Sequence, residues 1–205
     1  MSQFEWASRE DCQMRNGAFV HLCIDMQEMF KRPTAWHVPW MAQVADTVVE
    51  VAERLSDKTI FTRFIPPRRP DEIWGMWRSY YEKWPMMTGE HLEPELLDLV
   101  PELRRLVPPA RIFDKATYSP WFDGSLDWML KGERVSNLVV TGGETDVCVL
   151  AAVLGAVDLG YHVVVLSDAV CSGADETHDA SLEVLGERFS VQVEICRTEA
   201  FLSSL

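Results

Sequence analysis

The chain has 205 residues, 47% of them hydrophobic, and carries 19 Lys and Arg against 32 Asp and Glu, a formal net charge of -13. That length and hydrophobic content bury a sizeable core and most simply make one domain, expected to span residues 1–205. The acidic balance excludes long-range attraction to nucleic acid or to an anionic membrane, and it suits a protein whose partner is a small molecule.

No apolar run approaches the roughly 18 residues of a membrane helix. The N-terminal stretch MSQFEWASREDCQMRNG lacks the apolar core of a secretory leader, so a cytoplasmic location is expected. Five cysteines, Cys12, Cys23, Cys148, Cys171 and Cys196, are odd in number and widely spread, which argues against a disulfide framework and a structural zinc site. Cys23 and Cys196 lie in apolar runs and are expected to be small buried hydrophobes.

In chain order, residues 18–24 form a nearly continuous apolar run ending at Asp25, and residues 38–55 carry apolar positions at helical spacing: a strand, then a helix. Further strands are predicted over 58–64, 110–115, 136–142, 161–169 and 191–196. Helices are predicted over 124–133, 145–160 and 174–189. Continuous apolar strands separated by helices signal a parallel sheet covered on both faces. The predicted fold is therefore a three-layer α/β/α sandwich around a mostly parallel six-stranded sheet. Residues 63–109, rich in proline and aromatics, read as an excursion over the crevice, with no internal repeat and no linker that would split the chain.

In such folds ligands bind beyond the carboxyl ends of the strands. The polar residues at those ends are Asp25, Arg63, Asp114, Lys115, the turn 142–148 and Asp168. Among them Cys148, Asp25 and Lys115 make a reactive combination. A thiol attacks as thiolate, which a helix N-terminus and a nearby cation favour. Lys115 supplies the cation, and Asp25 can accept the thiol proton and return it to a leaving amine. Each has a blander role open to it: Cys148 as packing, Asp25 as a helix cap, Lys115 as a solvated surface lysine. The weight comes from three such residues at three strand ends.

The motifs HLCIDMQEMF, FDKATYSPW and VVTGGETDVCVLAAVLGAVDLGYHVVVLSDAVCS, within residues 19–196, resemble the isochorismatase-like cysteine hydrolases, which include nicotinamidases and carbamoylsarcosine amidohydrolases. The resemblance implies Asp25 as acid and base, Lys115 as supporting cation and Cys148 as nucleophile. It also implies a cis peptide between Gly143 and Glu144, with the amides of Glu144 and Cys148 as oxyanion hole. Metal-dependent members carry an aspartate and two histidines after the second strand, whereas FTRFIPPRRPDEIWG has no histidine. No catalytic zinc or iron and no other cofactor is expected, and nicotinamide becomes a poor substrate.

The resulting expectation is a metal-independent hydrolase of an amide, lactam or ureido C–N bond working through a thioester. Vinyl ether hydrolysis of the isochorismatase type, or a silent binding member, are the alternatives. Gln27, Trp74, Trp77, Tyr81 and Tyr118 are expected to bind substrate, the aromatic segment lining either the pocket or a subunit contact. Arg63, Arg68 and Arg69 could meet a substrate carboxylate or form a solvated cluster. Asp168 and His178 look structural, and His21 and His162 fall within strands. Related proteins often assemble, so a homo-oligomer, dimer or tetramer, is expected.

Overall fold

The computed structural model describes Cys12 and residues 14–205, so most of the N-terminal stretch read for a leader lies outside the described residues. Strands β1 (Ala18–Ile24), β2 (Thr59–Phe64), β3 (Arg111–Lys115), β4 (Val135–Gly143), β5 (His162–Cys171) and β6 (Val193–Cys196) form one sheet in the order β3-β2-β1-β4-β5-β6. Every neighbouring pair is parallel. The sheet grows to one side from β1 through β2 and to the other through β4, so the crevice of a doubly wound fold opens between the carboxyl ends of β1 and β4.

Both faces of the strands are apolar because both are covered. Val20, Leu22 and Ile24 of β1 pack with Leu138, Val140, Val163 and Val165 on one face. Cys23, Val139, Val164 and Leu166 point to the other. The first face is covered by helices α5 (Ser125–Gly132), α6 (Leu150–Asp158) and α7 (Asp175–Arg188), through Leu126, Leu130, Val153, Leu182 and Leu185. The opposite face takes α2 (Met41–Arg54), whose Met41, Val44, Val48 and Val51 recur at helical spacing, and α8 (Thr198–Ser203), which contributes Phe201. Each fully buried Leu, Val or Phe contributes about 1.5–3 kcal/mol.

The excursion between β2 and β3 is less irregular than its composition implies. It holds the helix α3 (Met76–Lys83) and the single turn α4 (Pro101–Arg104), while α1 (Glu28–Lys31) follows β1. Trp77, Tyr80 and Tyr81 of α3 meet Trp36, Phe64 and Tyr118 in one aromatic cluster, with ring centroids 4.8–6.4 Å apart.

His21, at the centre of the sheet, is fully buried between Thr59 on β2 and Thr141 on β4, with ring nitrogens 2.9 and 2.8 Å from the two hydroxyls. The Thr59 hydroxyl donates its proton to the Leu55 carbonyl, so it accepts from His21 Nδ1–H, and Nε2 accepts from Thr141. The imidazole is neutral, and burial lowers its pKa to about 3.

The structure corrects the reading of Cys196. It is paired in a disulfide with Cys12, the two Cα atoms 5.7 Å apart and the residues 184 positions apart in sequence. A pairing between chain ends leaves no spacing signature, which is why cysteine counting missed it.

Candidate active site

Three strand ends and one turn build the site. Asp25 follows β1 with a left-handed backbone, φ 49°, a conformation that recurs at functional positions. Its amide donates to Thr62 Oγ1 at 3.1 Å, and that hydroxyl donates to Asp25 Oδ1 at 2.6 Å, fixing the carboxylate from the neighbouring strand. Lys115 closes β3, and its Nζ lies 2.6 Å from Asp25 Oδ2, 3.6 Å from Cys148 Sγ and 3.1 Å from the Thr117 carbonyl. The ammonium also stands 5.0 Å over the Phe64 ring. Asp25 Oδ2 faces the Lys115 ammonium at 2.6 Å, and a carboxylate oxygen has a second lone pair able to take a proton.

Cys148 arrives from β4 through a tight turn. Gly142, at φ 103°, lies against the backbone of Ile24, where any side chain would collide. The Gly143–Glu144 peptide is cis, as the resemblance implies. Residues Thr145–Val149 then form one π-helical turn before α6 begins. Thr145 Oγ1 bonds His178 Nδ1 at 2.9 Å, and the Asp146 carboxylate accepts from Ser172 and Thr177, clamping the turn to α7.

The charge balance differs from the sequence expectation in one respect. Burial and the adjacent Asp25 push the Cys148 thiol above its ordinary range, more than Lys115 pulls it down. At rest the sulfur is a thiol. Burial also opposes the Lys115 ammonium, but Asp25 and Cys148 outweigh it and hold its pKa above the usual value. The arrangement can therefore deliver a thiolate as substrate arrives, by moving one proton to Asp25.

Cys148 borders a cavity of about 290 Å³ walled by Phe30, Trp36, Phe64, Tyr80, Tyr118 and Val147, with Glu144 also in its lining and His37 at the rim. Of the side chains expected to bind substrate, Tyr118 lines this cavity. Trp74 and Trp77 line a larger groove of about 910 Å³ on the other side of the Tyr80 and Tyr118 wall, where Trp74 is 84% exposed. Tyr81 is fully buried in the core, one residue and about 100° of helix rotation from Tyr80.

Gln27 lines neither the cavity nor the groove. Its amide is spent on the backbone, donating to Phe64 and Leu97 carbonyls and accepting from the Phe64 N–H, so it ties the ends of β1 and β2 to the excursion. Arg63 is held by Asp114 and Asp98 at 2.8–3.0 Å. Asp168 receives the amide and hydroxyl of Thr198 and pins the start of α8. Trp36, Tyr80 and the side chain of Glu144 were not anticipated. Among the described residues, no group of three or more His, Cys, Asp and Glu converges in a way that could hold a metal ion, and no helix is long and apolar enough to cross a membrane.

A doubly wound parallel sheet with cysteine, aspartate and lysine meeting at its switch point defines an α/β protein of the isochorismatase-like class. The family model of the isochorismatase domain matches residues 19–196, and the chain belongs to that family. It is 32% identical over 105 residues to isochorismatase family protein 1A of Dictyostelium discoideum, covering 51% of this chain and 48% of that one. To the ureidoacrylate amidohydrolase RutB of Pseudomonas savastanoi pv. phaseolicola it is 32% identical over 118 residues, 58% of this chain and 38% of the relative. The chain thus spans less than half the length of these curated relatives.

Solved structures share the fold. An isochorismatase-like hydrolase from Alkaliphilus metalliredigens superposes with a TM-score of 0.75 at 20% identity, covering 91% of this chain and 98% of that one. An N-carbamoylsarcosine amidase from Thermoplasma acidophilum gives 0.68 at 18% identity, covering 88% and 96%.

Proposed function

We propose that the protein is a cysteine hydrolase that cleaves an amide, lactam or ureido C–N bond of a small molecule through a thioester on Cys148. The observation that carries this reading is the ammonium of Lys115 set between Asp25 at 2.6 Å and Cys148 at 3.6 Å, all three buried beside an open cavity. Likeness to a ureidoacrylate amidohydrolase in sequence and to an N-carbamoylsarcosine amidase in fold supports C–N chemistry. The histidine-free segment after β2 supports a metal-independent reaction.

In the first half-reaction the thiol proton passes to Asp25 as sulfur bonds the carbonyl carbon. The C–N bond then breaks, and Asp25 gives the same proton to the departing nitrogen. In the second, water loses a proton to Asp25 and attacks the thioester. The C–S bond breaks, the acid leaves, and the proton returns to sulfur. Across the cycle one negative charge moves among the Asp25 carboxylate, the carbonyl oxygen under attack and the departing sulfur, and Lys115 faces the carboxylate and the sulfur. The amides of Glu144 and Cys148 serve the carbonyl oxygen, each such donor contributing about 2.7–4 kcal/mol to the transition state.

The proposal includes a homo-oligomer. Trp74, Met76 and Phe122 are 78–84% exposed around the larger groove, an apolar surface of the kind subunit contacts cover. Light scattering at the monomer mass would remove that part.

The test of the hydrolase is release of ammonia or amine from a panel of small amides, lactams and ureido compounds. Cys148→Ala is expected to abolish release, on the order of 10⁴-fold or more, with the circular dichroism of the fold unchanged. A fully active alanine variant overturns the assignment.

A further inference from the structure

The cavity beside Cys148 carries a chemical preference of its own. Its walls are aromatic: Phe30, Trp36, Phe64, Tyr80 and Tyr118. Besides the reactive cysteine, the rim histidine and the two tyrosines, the ionisable residue of its lining is Glu144. Neither lysine nor arginine lines it. The nearest ammonium, on Lys115, is already matched by Asp25, and Arg63 is held by two aspartates. A substrate carboxylate entering here would find no free cation and would face Glu144, with Asp25 and Asp146 behind it. A cation would find a carboxylate at one end and ring faces around it, the environment that binds ammonium groups.

We propose that the substrate of this site carries a positively charged or onium group, which the aromatic wall and Glu144 hold while its amide is presented to Cys148. This deepens the hydrolase reading and rests on it for the identity of the reacting bond. It also separates this chain from the ureidoacrylate amidohydrolases among its relatives, whose name denotes an acidic substrate.

The electrostatics of the lining agree. Burial, then Asp146 and Asp25, raise the Glu144 carboxyl to about 7, against one amide donor from Gly173 that favours the anion. A bound cation offsets that excess of negative charge. Burial above all raises the hydroxyls of Tyr80 and Tyr118, and the charges of Cys148 and Glu144 add to it. The net charge of -13 draws cations toward the whole molecule.

Binding without turnover separates this inference from the reaction. The probes are benzyltrimethylammonium, its uncharged carbon isostere neopentylbenzene, and phenylacetate, titrated against the intact protein by tryptophan fluorescence and by protection of Cys148 from iodoacetamide. The ammonium is expected to bind roughly tenfold more tightly than the isostere, the scale of one desolvated cation–π contact with an ion partner, and to protect Cys148. Phenylacetate is expected to bind weakest.

The ammonium's advantage grows from pH 6 to 8 as Glu144 ionises, and Glu144→Gln reduces it. Equal affinity for ammonium and isostere, or tighter binding of phenylacetate, overturns the proposal, and the unmodified protein alone decides this. Such a result leaves the hydrolase standing. Loss of acyl transfer to Cys148, in contrast, would sink the hydrolase while leaving cation binding intact.

Discussion

Two buried polar clusters cross the same central strands and behave oppositely. In the middle of the sheet His21 is closed: Thr59 and Thr141 occupy both ring nitrogens, Thr59 passes its proton to Leu55, and no lone pair or proton is left over. At the carboxyl edge the cluster of Asp25, Lys115 and Cys148 is open. It is buried too, yet the Asp25 carboxylate keeps lone pairs beyond those that Thr62 and Lys115 use, and the thiol proton has that acceptor nearby. A buried polar network that is fully satisfied rigidifies a fold, whereas one with a vacant lone pair beside a nucleophile can move a proton. The difference lies in satisfaction, not burial.

That contrast can be broken at either cluster. The largest effect is expected for Asp25→Asn, which removes the proton carrier and lowers turnover by about 10²–10⁴-fold. The same change frees the Lys115 ammonium to pair with sulfur, so iodoacetamide labelling of Cys148 quickens. Unchanged turnover in this variant would take Asp25 out of the chemistry.

Next comes Lys115→Met, which strands a buried carboxylate and costs about 3–5 kcal/mol of stability by urea unfolding at neutral pH. Acidification, which neutralises the carboxylate, is expected to restore part of the loss. No recovery at low pH would show that the cost is packing alone.

The smallest effect belongs to His21→Phe. It leaves threonine hydroxyls without partners, costs about 1–3 kcal/mol, and leaves the rate of the chemical step alone. The sign of the pH dependence follows from the lowered pKa. The folded imidazole protonates near 3 and the unfolded one near 6.5, so His21 stabilises the fold above pH 6.5 and that contribution is lost as pH falls toward 3. Melting temperatures across that window are expected to fall more steeply for the unmodified protein than for the variant. Parallel slopes would remove His21 as the cause.

How much of this was legible in the sequence follows from what each feature depends on. The six strands announced themselves as apolar runs with boundaries within two residues of those observed, because strands buried on both faces carry little else. Asp25, Lys115 and Cys148 were readable because a parallel sheet gathers its carboxyl ends at one edge whatever the loops do.

The wall of the cavity was not readable. Trp77, Tyr80, Tyr81 and Trp84 recur at helical spacing, but that spacing does not say which ring meets the cavity: Tyr80 faces it and Tyr81 faces the core, a distinction set by how α3 is docked. Trp36 reaches the cavity from a loop after β1, where periodicity has no meaning. Glu144 was singled out for its backbone amide, while the position of its side chain depends on the turn. Gln27 shows the converse: a polar residue beside the site whose hydrogen bonds were taken up by backbone.

The most direct test of the central claim is intact-mass analysis of the protein quenched in acid during turnover of a pooled amide library. The account predicts an added acyl mass that maps to the peptide containing Cys148, is removed by hydroxylamine and is absent from Cys148→Ala. Turnover that proceeds with no adduct on Cys148, and persists in the alanine variant, would contradict it.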